Sequence, residues 1–344
     1  MKKITINNAY MAYKEFNMIN TQMTEFQKIV AEIGEITTPN AEKSMIVISN
    51  IRTRIRQYVE DNKLQSLVLG VSGGLDSSVV AALCQEKYTG VPLIGISIPM
   101  SSSTAHKEQA QWIGDNYCSA FEEFQGWDDS WELDGAMTEG EAASTNMMSE
   151  VFATTSMTDE IAKKAGFKPT EFPTNVLQGN IKARLRMITL YDLARKTNGI
   201  VLSTDNRSEF RCAFWTKFGD EGDISIIRQI DKGFELPEIA KALNIRTDII
   251  TQAPSDGLMV TEENTDEAQL GANYKEVDAI LNIYLGTIDI PEVKIRAFKS
   301  RLFKLVDTDA EGSVKVAKVL SRYETFAYKR IGEIEFTRNE IQMD

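Results

Sequence analysis

Two short stretches carry side chains whose types and spacing could do chemistry on a phosphate. In the first, Leu67-Val68-Leu69-Gly70-Val71 runs straight into Ser72-Gly73-Gly74-Leu75-Asp76-Ser77-Ser78. The paired glycines turn the chain with no Cβ in the way, so backbone N–H groups can approach a ligand closely. A helix beginning near Asp76 would add unpaired N–H groups and a favourable dipole to that turn, which together make an anion site. Asp76 would be a poor phosphate neighbour by itself. Its position makes sense if a divalent cation bridges it to the phosphates, because magnesium is held by one or two carboxylates plus phosphate oxygens. An ordinary βα turn, with Asp and Ser as helix caps, is the alternative reading of the same residues. The string is neither the Walker G-x-x-x-x-G-K-[ST] nor the dinucleotide G-x-G-x-x-G.

The second stretch is Thr204-Asp205-Asn206-Arg207-Ser208-Glu209, directly behind the apolar run Gly199-Ile200-Val201-Leu202-Ser203. It supplies a second carboxylate, and Asp76 with Glu209 forms a plausible metal pair. His106 is the only histidine. Sites with several histidine ligands are therefore excluded, and a lone histidine near a helix start reads first as a surface or capping residue.

These groups need elements to hold them. Leu67 to Val71 is the uninterrupted apolar run of a strand covered on both faces, and Val79, Val80 and Leu83 continue it as a helical face. Val91 to Ile98 reads as a second strand, followed by a helix from about Thr104 to Asn116. Gly179-Asn180-Ile181-Lys182-Ala183-Arg184-Leu185-Arg186-Met187 opens a helix whose apolar face (Ile181, Leu185, Ile188, Leu193) is expected to pack inward. A helix over Ala41 to Val59 leads into the first strand. Residues 1–45 read as a helical N-terminal extension broken at Gly34 to Pro39, and residues 119–175 as a surface insertion or a lid. A polar loop at the carboxyl end of a strand is where open α/β sheets bind ligands.

The whole chain bounds the alternatives. It has 344 residues, 42% of them hydrophobic, which is ample for a large core. The net charge of −12 disfavours a broad nucleic-acid footprint. Cys84, Cys118 and Cys212 are widely spaced and odd in number, so a disulfide framework or a zinc site is not expected. No apolar stretch is long enough to span a bilayer and no leader-like run follows Met1, so a cytoplasmic protein with no membrane partner is expected.

Ser-Gly-Gly-Leu-Asp-Ser resembles the pyrophosphate loop of the ATP pyrophosphatases, which cleave ATP between the α and β phosphates. Behind it, in order, stand Gly179-Asn180-Ile181-Lys182-Ala183-Arg184-Leu185-Arg186-Met187, Lys217-Phe218-Gly219-Asp220-Glu221-Gly222-Asp223, Pro254-Ser255-Asp256-Gly257-Leu258 and Thr265-Asp266-Glu267-Ala268-Gln269-Leu270-Gly271. This set resembles the NAD synthetases over most of residues 45 to 285, with a weaker echo at Tyr328-Lys329-Arg330. The resemblance implies an α/β fold with a doubly wound, mainly parallel sheet flanked by helices, of the adenine nucleotide α-hydrolase type, in one domain spanning 1–344. It implies a homodimer that amidates deamido-NAD, with ATP as co-substrate, Mg²⁺ as cofactor and ammonia as nitrogen donor. Only about seventy residues precede the loop, too few for an added amidase domain.

By the same resemblance, Gly70, Ser72, Gly73, Gly74, Asp76 and Ser77 would meet the ATP phosphates, and Asp76 and Glu209 the magnesium. Thr204 would stand by the nucleotide, and Lys232 and Ser255 by its phosphates. Asn180, Arg184, Lys217 and Asp220 would face deamido-NAD, with Asp220 and Asp223 near the nicotinate and the entering ammonia. Catalysis would then rest on Asp76, Ser77, Lys232, Asp220 and Asp223. Two departures stand out. Glu221 occupies a position where many family members have glycine, and Val176 and Leu177 stand where some carry an aromatic residue. The rival readings are a tRNA-modifying adenylating enzyme, which the acidity counts against, and a nucleotide-binding regulator, which the joint retention of Asp76, Glu209 and Lys232 counts against.

Overall fold

The computed structural model describes residues 23–99, 104–124, 158–166, 174–255 and 265–332. Its described strands form one five-stranded parallel sheet of order β3-β2-β1-β4-β5. The strands are β1 (Ser66–Gly70), β2 (Leu93–Ser97), β3 (Ala120–Glu123), β4 (Gly199–Ser203) and β5 (Ile224–Ser225). Chain order reverses at β1, the central strand, so the crevice above its carboxyl end lies between loops that diverge to either side. The described part of the fold is thus the doubly wound α/β arrangement that the resemblance implies.

The apolar run of β1 is explained by burial on both faces. Leu67 and Leu69 point into a core built with α2 (Ala41–Asn62), α3 (Leu75–Leu83), α4 (Thr104–Tyr117) and α7 (Leu236–Ala242). Val68 points the other way, into a core with α5 (Thr174–Lys196). All three side chains are fully buried. Each stabilises the fold by about 1.5–3 kcal/mol relative to exposure.

In α5 Leu185 and Leu193 pack against the core as the sequence predicts, and the inward face departs from that expectation at Ile188. Ala183, Met187, Leu190 and Ala194 are buried, whereas Ile188 is 63% exposed. Met187, Leu190 and Ala194 lie on Val68 and Val201, and Ile188, one residue past Met187, turns outward.

A second core joins the two ends of the described chain. Helix α1 (Glu25–Thr37) packs Phe26, Ile29 and Ile33 against α10 (Tyr274–Leu285), α11 (Glu292–Phe303) and α12 (Ala310–Thr325). Asp309 ties this core at one point. One of its oxygens accepts from the Gly312 N–H at the start of α12, and the other accepts from the Phe26 N–H in α1. The break expected over Gly34 to Pro39 falls at Thr38 and Pro39, while Gly34 itself lies inside α1, where the Phe234 ring stands 2.9 Å from where a Cβ would be. The N-terminal segment is therefore a docked helix over its described part. Most of the 119–175 insertion lies outside the described residues; its described parts are β3, which extends the sheet, and a short helix at 158–164.

Candidate active site

The carboxyl end of β1 opens into the glycine turn. Gly73 has φ +86°, and a Cβ there would stand 2.3 Å from the His106 carbonyl oxygen of α4, so only glycine fits. Ser72 accepts from the Gly74 N–H, and its hydroxyl lies 3.1 Å from that of Ser77. The Ser77 and Ser78 hydroxyls both donate to the Gly74 carbonyl. Ser77 is buried, so it shapes the loop from beneath while Gly70, Ser72 and Gly74 line the cleft above.

Asp76, in the first turn of α3, faces the strongest electrostatic feature of the molecule. The Lys232 ammonium is 3.0 Å from Asp76, 2.7 Å from Glu209 and 3.7 Å from Asp266. Asn206 donates to the other Asp76 oxygen at 2.8 Å. The Tyr274 hydroxyl donates to Asp266 at 2.7 Å, and the Lys232 ammonium lies 4.5 Å from the Tyr274 ring centre. Burial pulls the Lys232 ammonium toward neutrality, but Asp76, Glu209 and Asp266 outweigh it and hold the lysine charged well above its ordinary range. Glu209 is pushed up to about 8, first by burial and then by the neighbouring Asp76 and Asp266, with Lys232 opposing the shift. Three carboxylates share one cation, and the cluster carries surplus negative charge.

The sequence places Lys232 by folding it over a buried network. Its N–H donates to the Ser208 hydroxyl, which in turn donates to Asp278, and Asp278 also accepts from the Gly233 N–H at 2.7 Å. Next to it, Arg207 grips Asp231 with two donors, and Asn282 of α10 donates to the same carboxylate. Gly233 is needed because a Cβ would stand 2.5 Å from the Lys275 nitrogen. Helix α10 thus fixes the lysine from below, and α6 (Arg207–Cys212), capped by Asn206, fixes Glu209 beside it.

The cleft, of about 270 Å³, collects Ser72, Asp76, Thr204, Glu209, Asp220, Lys232 and Ser255 from the residues named by sequence. Several others are placed elsewhere. The Asp223 carboxylate accepts from the Val201 N–H at 2.8 Å and from the Tyr191 hydroxyl at 3.3 Å, so it pins its loop to the edge of β4 and does not line the cleft. Arg184 is exposed and donates to the Lys217 carbonyl, which leaves both residues on the rim. Asn180 accepts from the Thr216 hydroxyl at 2.6 Å, and Asp220 accepts from the Thr216 N–H at 2.6 Å, so one threonine links them. The Glu221 side chain leans toward Arg228 at 3.9 Å, which draws its charge away from the cleft.

The structure also adds residues. Arg186 lines the cleft, because two residues along a helix turn it about 200° from Arg184. Phe214 and Trp215 form an aromatic wall in the same cleft. Trp215 stacks on Phe210 at 5.4 Å, and the Lys329 ammonium lies 4.8 Å from its ring centre while donating to the Ala213 and Trp215 carbonyls. Asp266 and Tyr274 join the lysine cluster. Asp266 was visible in the sequence only as part of the Thr265-Asp266-Glu267 string, and Tyr274 carried no signal beyond starting a helix.

Asp76 and Glu209, hard carboxylate donors beside the glycine turn, suit a cation that takes one or two carboxylates and completes its shell with phosphate oxygens.

A phosphate-binding turn at the switch point of a doubly wound parallel sheet, faced by a lysine and carboxylates, defines a nucleotide-binding α/β protein of the adenine nucleotide α-hydrolase type. The profile of the NAD synthase family matches residues 47–124 and 137–313. The chain belongs to that family. It is 32% identical over 245 residues to the NH(3)-dependent NAD(+) synthetase of Finegoldia magna, which covers 70% of this chain and 87% of the relative. Among solved structures, the NMN synthetase of Francisella tularensis superposes with a TM-score of 0.59 at 22% identity, covering 85% of this chain and 98% of that one. The NH3-dependent NAD synthetase of Campylobacter jejuni superposes with 0.56 at 20% identity, covering 86% and 99%. The structural likenesses speak to the fold.

Proposed function

We propose that this protein is an ammonia-dependent NAD synthetase. It amidates deamido-NAD with ATP and ammonia through an acyl-adenylate, releases pyrophosphate and AMP, and so completes NAD biosynthesis. The observation that carries the site assignment is the convergence of Lys232 on Asp76 and Glu209, at 3.0 and 2.7 Å, directly beside the glycine turn. There the nicotinate carboxylate attacks the α-phosphorus of ATP and the bond to the β-phosphate oxygen breaks. Negative charge from two substrates meets in that transition state. Lys232 and the N–H groups of the turn neutralise it from fixed positions.

Asp76 and Glu209 are the residues that would hold Mg²⁺ against the phosphates. When bound, the ion supplies charge neutralisation and orients the leaving pyrophosphate. Ser72, Gly74 and Ser255 position the phosphates, Thr204 the nucleoside, and Phe214 with Trp215 the pyridine ring. In the second step ammonia attacks the acyl carbon and AMP leaves. Asp220, on the cleft wall, anchors ammonium and accepts its proton. Asp223 is not given that role, since it does not line the cleft.

The reading places the enzyme in the cytoplasm, where Cys84, Cys118 and Cys212 would stay reduced. Among the described residues no helix is long and apolar enough to cross a membrane. A homodimer would cover the exposed apolar side chains Ile188 and Tyr191 of α5 and Phe218, at 63%, 41% and 72% exposure. The test is NAD formation by purified protein from deamido-NAD, ATP, Mg²⁺ and ammonium, with one AMP and one pyrophosphate per NAD. ATP binding without dinucleotide-dependent pyrophosphate would overturn it.

A further inference from the structure

A second cavity of about 300 Å³ lies against the cleft and shares with it Gly74, Asp76, His106, Lys232 and Ser255. The two spaces therefore meet at the glycine turn, where the β- and γ-phosphates of ATP would lie in the reading above, on which this inference rests. Their linings differ in charge. Among the described residues the cleft is lined by the five carboxylates Asp76, Asp205, Glu209, Asp220 and Asp266 against the three cations Lys107, Arg186 and Lys232. The second cavity is lined by one carboxylate, Asp76, against two lysines, Lys232 and Lys275. Lys275 is exposed and stands beside Gly233, and Pro237, Ile249 and Ala253 complete the wall. His106 stands at the junction, its Nε2 2.6 Å from the Gln252 amide nitrogen, and its carbonyl oxygen packs against Gly73.

We propose that this second cavity is the exit compartment for inorganic pyrophosphate, so that the first product leaves behind Lys232 while the acyl-adenylate stays in the cleft. When the α-phosphorus bond to the β-phosphate oxygen breaks, the electron pair goes to the departing pyrophosphate, which then carries at least three negative charges. The cleft on one side holds the bulky adenylate and, beyond the Asp76 and Glu209 that the ion would take, the carboxylates Asp205, Asp220 and Asp266. The cavity on the other side adds Lys275 and no carboxylate besides Asp76. A polyanion at the junction is driven toward the second space, since clefts lined by one sign of charge focus the field on an ion of the other. The separation also has a chemical use. The acyl-adenylate must wait for ammonia out of reach of water, and a pyrophosphate that leaves behind Lys232 need not pass it on the way out.

The experiment is a single turnover without ammonia, using Ala253→Trp, which narrows the cavity at an exposed position, and Lys275→Glu, which reverses its outer charge. Acyl-adenylate is measured in quenched samples, and free pyrophosphate continuously with a coupled pyrophosphatase and a phosphate reporter. Adenylate should form at the wild-type rate in both variants, whereas free pyrophosphate should lag by about tenfold in Ala253→Trp and a few-fold in Lys275→Glu. Pyrophosphate keeping pace with adenylate in both variants overturns the exit route and leaves the enzyme assignment standing. Lys275→Glu decides alone if the tryptophan variant does not fold. A wild-type protein that forms no adenylate on deamido-NAD removes the enzyme assignment and the exit route with it.

Discussion

Lys232 Nζ and Glu209 Oε1 stand 2.7 Å apart at the centre of the site, yet Glu209 titrates as a buried carboxylate under pressure from its own kind. Burial, then Asp76 and Asp266, raise it to about 8. Its folded pKa thus lies above its unfolded one, near 4.3 for a free glutamate. Between those values the folded state holds a proton that the unfolded state has lost. The stabilisation from this group is complete below about 4.3, is lost as pH rises toward about 8, and changes no further above that. Melting temperatures of the metal-free protein in EDTA should therefore fall from pH 5 to 8, and Glu209→Gln should flatten the slope. Parallel curves for the two proteins would mean that Glu209 is not the group that titrates.

Among the described residues Lys232 is the cation within ion-pair distance of all three carboxylates, so Lys232→Met should remove the charge they share. Removing one partner of a buried ion cluster costs about 3–5 kcal/mol. The loss should appear in urea unfolding at neutral pH, and saturating Mg²⁺ should recover part of it. Dinucleotide-dependent pyrophosphate formation should fall by at least ~10²-fold, the scale for deleting one fixed electrostatic group in a transition state. A variant with normal stability and normal turnover would show that the lysine is a bystander.

The two glycines of the turn should not be equivalent. A Cβ on Gly73 meets the His106 carbonyl at 2.3 Å with φ at +86°, whereas on Gly74 its nearest neighbour is the Ser72 hydroxyl at 3.4 Å. Gly74 also has an ordinary φ of −81°. Gly73→Ala should cost about 1–3 kcal/mol of stability and weaken ATP binding, because the strain can relax only by moving the turn or α4. Gly74→Ala should leave stability within about 0.5 kcal/mol. Thermal melts and ATP titrations of the pair separate strain from a general intolerance of bulk.

Much of this site is legible in the sequence, for a physical reason. Strands β1 and β4 are buried on both faces, so their apolar runs stand out, and the turns that follow each carry a carboxylate and must project at the same end of a parallel sheet. Asp76 and Glu209 come together on that ground alone. What the sequence does not carry is what arrives from far along the chain. Tyr274 and Asn282 reach Lys232 and Asp231 through the packing of α10, which no local pattern reports. The resemblance puts Asp223 near the nicotinate, yet its carboxylate bonds to the Val201 N–H, a partner that becomes visible only once β4 is placed beside that loop. Glu221 likewise reads as an added charge at the pocket until Arg228 is seen beside it.

Ile188, the residue of α5 that periodicity turned inward and the structure turns outward, gives the last prediction. Ile188 is 63% exposed because Met187, Leu190 and Ala194 take the contact with the sheet, and Tyr191, three residues on along the helix, and Phe218 are exposed as well. Arg184 and Lys217, which resemblance assigns to the dinucleotide, stand on this same rim and not inside the cleft. Both facts make sense together if a second copy covers the face and completes a substrate site at its edge. Ile188→Glu puts a charge into that contact without touching the core, so the fold should persist. Light scattering should show a dimer for the wild type and a monomer for the variant at micromolar concentration. The Michaelis constant for deamido-NAD should rise about tenfold or more while that for ATP changes little, since losing one well-placed contact to a charged ligand is worth ~1.5–3 kcal/mol. A monomeric wild type with full activity would refute the shared site and return Arg184 and Lys217 to the ordinary role of solvated surface charges.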